Sequence, residues 1–99
     1  MITVIARLKV KSGDEPAFQE AAQSMIVHVK DNEPGTHTYV LHRATSDPTQ
    51  FVFYEVYIDQ AALAAHAGSE AMKSFVATTG PLLEGRPEIG LFEELGGKR

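Results

Sequence analysis

The sequence predicts an α+β fold: one antiparallel sheet with helices packed on a single face. Three observations lead there. In the opening segment apolar residues alternate with polar ones, the period of a half-buried strand. In the next segment they recur every three or four residues, the period of a helix face. The order strand, helix, strand is then traversed a second time.

The first strand is ITVIARLKV, with Ile2, Val4, Ala6, Leu8 and Val10 on one face and Thr3, Arg7 and Lys9 among the residues of the other. KSGDEP supplies a turn, with Ser12 or Asp14 as a helix N-cap and Pro16 in the first turn, where its missing N–H costs nothing. The helix that follows buries Phe18, Ala22, Met25 and Val29, with Ile26 on the flank. DNEPG ends it, because a residue before proline resists the helical conformation and Gly35 tolerates left-handed geometry.

THTYVLHRAT alternates again, with His37, Tyr39, Leu41 and Arg43 on one face and Thr38, Val40 and His42 on the other. SDPTQ turns the chain around Pro48. FVFYEVYI is aromatic and β-branched on both faces, as a central strand would be, and pairs antiparallel with its predecessor. Asp59 caps the next helix, in which Leu63, His66 and Ala67 share a face. Gly68 interrupts that helix, Ser69 caps a continuation from Glu70, and Met72, Phe75 and Val76 form the apolar face of this second piece. TTGPLLEGRP is a loop, EIGLFEEL a last strand and GGKR a tail.

This succession is the split β-α-β-β-α-β pattern of a ferredoxin-like domain, predicted to occupy residues 1 to 99 as one unit. Helices cover one sheet face. The other face carries apolar residues too, so a homodimer is expected, two sheets closing into a dimeric α+β barrel. The net charge of −4 and the scatter of the nine Lys and Arg residues argue against nucleic acid or an anionic membrane as partner. No run is apolar enough to span a bilayer and the N-terminal residues lack the layout of a signal peptide, which predicts a cytoplasmic protein. With no cysteine, thiol chemistry and Cys-ligated metals are excluded.

Residues 33 to 75 resemble the antibiotic biosynthesis monooxygenase domain family. The likeness lies in an E-P-G entry to the second strand (Glu33, Pro34, Gly35), an F-x-x-Y-E-x-[WY] third strand (Phe51, Tyr54, Glu55, Tyr57), and a D-x-x-A-L-x-x-H-x-x-S stretch (Asp59, Ala62, Leu63, His66, Ser69). ARLKVKSGDEPAF at the start extends it over most of the chain. The resemblance implies a pocket in each subunit between sheet and helices. In well-studied members that pocket serves oxidation of a quinol or polycyclic phenol by molecular oxygen without metal or flavin. Other members degrade haem, isomerise small phosphorylated sugars or have no assigned activity. This chain departs from the pattern at Ala71, where many members carry a second histidine, and at Met72, which replaces an aromatic. It also has no tryptophan and only one asparagine, Asn32, so the residues of the haem-degrading branch are missing.

His66 and Glu55 are the candidate catalytic pair. His66 shares a face with Leu63 and so points toward the sheet, either as a satisfied core histidine or as a pocket base. Glu55, in a central strand, is costly to bury unless it is paired or faces a polar hollow. The bland alternatives for it are an ion pair with Arg7 or Arg43, or a place in the dimer interface. Tyr39, Tyr57, Phe75 and Phe92 are the candidate substrate contacts, and Glu55 or a tyrosine hydroxyl the groups that would orient His66. His28, His37 and His42 do not have ligand spacing, so no metal site is expected.

With no cofactor, the substrate must do the redox work. Its phenol is deprotonated, the anion reduces oxygen, and the protein supplies a base and a dry pocket. A non-catalytic binding or stress-response protein, or a small-metabolite isomerase using the same histidine, are the other expectations.

Overall fold

The computed structural model describes residues 1–99. Its elements are β1 (Ile2–Lys9), α1 (Glu15–Asn32), β2 (Thr36–Arg43), β3 (Gln50–Tyr57), α2 (Gln60–Ala67), α3 (Glu70–Thr79), a 3₁₀ turn (Gly80–Leu82) and β4 (Glu88–Glu93). The strands make one sheet in the order β2-β3-β1-β4, every neighbouring pair antiparallel. The α+β, ferredoxin-like architecture is therefore the one the sequence predicts. No helix is long and apolar enough to cross a membrane.

The two periodicities meet in the core. Phe18, Ala22, Met25 and Val29 are the buried stripe of α1, and they pack on Ala6, Leu8, Phe51 and Phe53 of the sheet. Phe18 holds this layer together, its ring 4.8 Å from that of Phe51 and 6.1 Å from that of Phe75. Fully burying a side chain of this size contributes roughly 1.5–3 kcal/mol.

Helix termini follow the predicted chemistry with one exception. Asp14 occupies the N-cap of α1 but its side chain makes no cap bond. The carboxylate of Glu15 instead accepts from the Gly13 N–H, in a turn that needs a positive φ at Gly13. Asp59 caps α2 by accepting from the Ala62 N–H at 2.8 Å, and Ser69 caps α3 by accepting from the Met72 N–H at 3.1 Å. The Ser69 hydroxyl also donates to the His66 carbonyl at 2.9 Å, closing the broken end of α2.

The β2–β3 turn is fixed by Asp47. Its carboxylate accepts from the Thr49 hydroxyl at 2.7 Å and the Thr49 N–H at 3.0 Å, with Lys9 Nζ 3.2 Å away. These bonds, those to Thr49 first, hold the Asp47 pKa down at about 2.

One irregularity departs from the sequence expectation. β2 shifts register against β3 between Thr36 and Thr38, so His37 sits at a bulge and leaves the simple alternation assigned to it. Beyond the bulge Tyr39, Leu41 and Arg43 lie opposite Glu55, Phe53 and Phe51 as alternation requires. Val40, Tyr54 and Phe92 are exposed large apolar residues at positions of opposite parity, on the sheet face away from the helices.

Candidate functional site

Strand parity and helix spacing bring the candidate residues together. Val4 pairs with Glu55, Glu55 with Tyr39, and Val4 again with Leu91, so one row across the sheet carries a carboxylate, a phenol and two aliphatic side chains on the helix-facing side. From above, α2 and α3 lower His66 and Phe75 onto this row. The space between is a cavity of about 640 Å³, lined mostly by apolar side chains and including Tyr39, Phe53, Glu55, His66 and Phe75. Ile89 and Leu91 of β4 also line it, and both are more than half exposed, which places its mouth at that edge of the sheet. A second hollow of about 540 Å³, between α1 and α3, has Glu20 as its only ionisable lining group and no such convergence.

His66 is 3% exposed and tightly held. Its Nδ1 lies 2.9 Å from Glu33 Oε1, and its ring packs against Tyr39 and Tyr57 with centroids 5.1 and 5.4 Å away. Glu33 Oε1 also accepts from the Thr36 hydroxyl at 2.9 Å. A carboxylate at Nδ1 puts the hydrogen on that nitrogen and leaves Nε2 as the basic one.

The orienting group is therefore Glu33, not Glu55 or a tyrosine as the sequence suggests. Glu33 and His66 are 33 residues apart. The only trace of the contact in the sequence is an acidic residue at the end of a helix, directly before Pro34, where it also serves as a helix stop.

Glu55 is buried with neither of the arginines that could have paired with it. Arg7 belongs to the opposite sheet parity, facing Val52 in register, while Arg43 lies over the Phe51 ring at 5.6 Å and donates to Gln19. Instead the Tyr57 hydroxyl donates to Glu55 Oε1 at 2.6 Å. Burial pushes the Glu55 pKa up, and it is only partly opposed by the Tyr57 bond and the nearby positive charge available at His66. Burial first, then the carboxylate of Glu55, raises the pKa of Tyr39 and of Tyr57, keeping both phenols neutral hydrogen-bond donors.

A carboxyl whose native pKa lies above its unfolded value keeps its proton longer in the folded chain. Stability is then lost as pH rises from the ordinary value of 4.5 through the native one. Glu55→Gln is expected to remove that slope and leave the protein more stable than wild type at neutral pH. Urea unfolding across this pH range checks it, and parallel curves for the two proteins would refute it.

Two predicted substrate contacts need correction. Phe92 pairs with Thr3, one residue out of step with Leu91, so it points to the opposite sheet face and is 51% exposed. Tyr57 is fully buried and touches Glu55 and His66 rather than the cavity. Tyr39 and Phe75 do line the cavity.

Every buried side-chain N or O atom sealed from solvent has a hydrogen-bond partner, except Glu33 Oε2. His66 Nε2, the second oxygen of Glu55 and the Tyr39 hydroxyl make no hydrogen bond within the chain, so all three must open on the cavity. An imidazole nitrogen, a carboxyl oxygen and a phenol thus share a space whose remaining lining is mostly apolar but includes Arg86 and Thr79. No group of three or more His, Asp or Glu side chains is arranged to hold a metal ion.

Comparison with known proteins adds a family. The family model described as antibiotic biosynthesis monooxygenase matches residues 1–78. YcnE of Bacillus subtilis, provisionally named a monooxygenase, is 32% identical over 84% of this chain and 86% of its own. An uncharacterised Synechocystis protein, sll1783, is 28% identical over 93% of this chain, which spans only 62% of that relative's length. Among solved structures, a Caulobacter crescentus CB15 protein provisionally named an antibiotic biosynthesis monooxygenase superposes with TM-score 0.92 and 30% identity, covering 96% of this chain and 90% of that one. One from Nitrosomonas europaea with the same provisional name gives TM-score 0.90 and 25% identity over 97% of this chain and 100% of its own.

Proposed function

Since the chain belongs to the antibiotic biosynthesis monooxygenase family, we propose that it oxidises a small quinol or polycyclic phenol with molecular oxygen, the substrate rather than a metal or flavin supplying the electrons. The observation that supports this most is the convergence of His66 Nε2, Glu55 and Tyr39 on one apolar cavity. An aromatic ring fits such a lining, and a phenolic O–H suits the polar groups that interrupt it, these three among them.

His66 Nε2 takes the phenolic proton while Glu33 steadies the imidazolium through Nδ1. Glu55, whose pKa burial raises, donates in its neutral form, as does the neutral Tyr39 hydroxyl, a hydrogen bond to the anion that forms. An ionised Glu55 would repel that anion, so its raised pKa favours the reaction. The phenolate passes an electron to oxygen, the radical pair recombines at carbon, and the hydroperoxide collapses. One oxygen atom enters the ring, the other leaves as water, and the substrate provides all four electrons.

Purified protein given naphthohydroquinone and isotopically labelled oxygen should release hydroxynaphthoquinone carrying one labelled atom, and none under argon. Unlabelled naphthoquinone with peroxide as the only products would sink the proposal. Tight binding without turnover would leave a carrier, and oxygen-independent conversion of a keto-sugar phosphate an isomerase.

Pairing of two copies through the outer sheet face belongs to the same reading. Val40, Tyr54 and Phe92 are 44%, 37% and 51% exposed there, and a face with three large apolar side chains in water is stabilised by burial against its own copy.

A further inference from the structure

His66 is one end of a row of three titratable groups that leads out of the cavity. Glu33 places Oε1 2.9 Å from His66 Nδ1 and Oε2 3.3 Å from Nε2 of His28. Side-chain exposure climbs along the row, from 4% for His66 through 10% for Glu33 to 30% for His28. The far nitrogen of His28, Nδ1, lies 3.3 Å from the amide of the exposed Asn32, on the solvent side of α1. His28 lies near the C-terminal end of α1, and Glu33 is the residue that caps that end in a non-helical conformation.

The contact between Glu33 and His28 is incomplete. Their charged atoms are at ion-pair distance, yet Glu33 Oε2 is sealed from solvent and has no hydrogen-bond partner, because His28 Nε2 lies off the line such a bond requires. A buried oxygen without a partner costs about 1–3 kcal/mol. A small swing of the half-exposed His28 ring satisfies it. Nothing in the oxygen chemistry above uses His28.

We propose that Glu33 and His28 form a proton relay by which the buried His66 exchanges its proton with water by a route other than the cavity. The relay's place in turnover rests on His66 being the base. After Nε2 has taken the substrate proton, the imidazolium gives its Nδ1 hydrogen to Glu33, and rotation of the neutral carboxyl presents it to His28 Nε2. Imidazole accepts a proton at one nitrogen and releases one from the other, so His28 in its Nδ1–H tautomer, with the exposed Asn32 amide turned aside, passes a proton to solvent at Nδ1. His66 is left neutral, with its hydrogen on Nε2. When the second oxygen atom leaves, Nε2 gives that hydrogen up to form water and a proton returns along the row to Nδ1. One proton goes out and one comes in.

The row has other titratable neighbours. Tyr39 on β2 and Glu55 and Tyr57 on β3 all feel the Glu33 charge. His28 and Glu33 are positioning residues here, since neither touches the substrate.

The test is the rate at which the His66 Nδ1 hydrogen exchanges with water, read by saturation transfer in nitrogen-edited NMR of the intact protein without any quinol. In His28→Gln the exchange should slow by about tenfold or more, as should kcat for naphthohydroquinone, with KM unchanged and kcat restored by added imidazole. Glu33→Gln, which still accepts from Nδ1 but carries no proton, should slow the exchange as well. A merely structural role for His28 gives the opposite sign, because loosening the site speeds exchange. Equal or faster exchange in His28→Gln overturns the relay, and so does an unchanged kcat. A wild-type protein that fails to oxidise the quinol sinks the oxygenase reading alone, since the exchange measurement does not depend on it.

Discussion

Replacing His66 by glutamine is expected to lower quinol turnover by about a hundredfold or more, the usual contribution of a positioned general base. The expectation rests on Nε2. It is the nitrogen left unprotonated by the Glu33 contact, and it makes no hydrogen bond within the chain. Glutamine offers no basic nitrogen. His66→Asn is the sharper control, because its amide can still donate to Glu33 from near the Nδ1 position. If the loss came from unfolding around a buried ring, asparagine would retain more activity than glutamine. If it comes from the missing base, both fall alike, with folding midpoints shifted far less than activity. Turnover within a few-fold of wild type in either variant would remove His66 from the reaction.

Gly35→Ala is expected to impair stability and turnover together. A Cβ at residue 35 would lie 2.7 Å from the Ala62 Cβ and 3.7 Å from Ile58 Cδ1. Two carbons cannot remain that close, and Ala62 is fixed to α2 with no flexible end to move aside. The helix itself must shift. Ala62 stands one turn before His66 on α2, and Gly35 is two residues after Glu33, so the shift opens the 2.9 Å contact between imidazole and carboxylate. Overpacking of this kind costs about 1–3 kcal/mol, and misplacing a catalytic group by about 1 Å costs up to roughly a hundredfold in rate. Valine should be worse than alanine. Adding Ala62→Gly should recover turnover in the double variant, at the expense of about 1 kcal/mol for a glycine inside a helix. A neutral Gly35→Ala, or a double variant no better than the single, would refute this reading of the close approach.

The glycine of the E-P-G segment thus has a packing reason that the sequence does not display. It reads there as a turn former, whereas the structure uses it to let α2 press against the start of β2. The elements themselves are legible because strand and helix periods differ, and the buried stripes of β1 and α1 are spelled out in order. Glu55 and His66 are legible as odd residues among apolar neighbours. What local pattern cannot reveal is the partner of each. Glu33 reaches His66 only because the end of α1 and the end of α2 are brought together across 33 residues of chain. Phe92 is a related case: Ile89, Leu91 and Phe92 are all apolar, so composition leaves the parity of β4 open, and only its register against β1 decides which of them face the helices.

The break between α2 and α3 has a kinetic meaning. Ser69 grips the His66 carbonyl through its hydroxyl and through its backbone N–H, at 2.9 and 3.2 Å, while Gly68 N–H returns to the Ala64 carbonyl at 3.0 Å. The backbone under the imidazole is clamped from the C-terminal side as firmly as its ring is held by Glu33. Rotational freedom that a histidine near a fraying helix end would retain is surrendered during folding, before any reactant arrives. Little of the activation barrier should then be entropic reorganisation of this side chain.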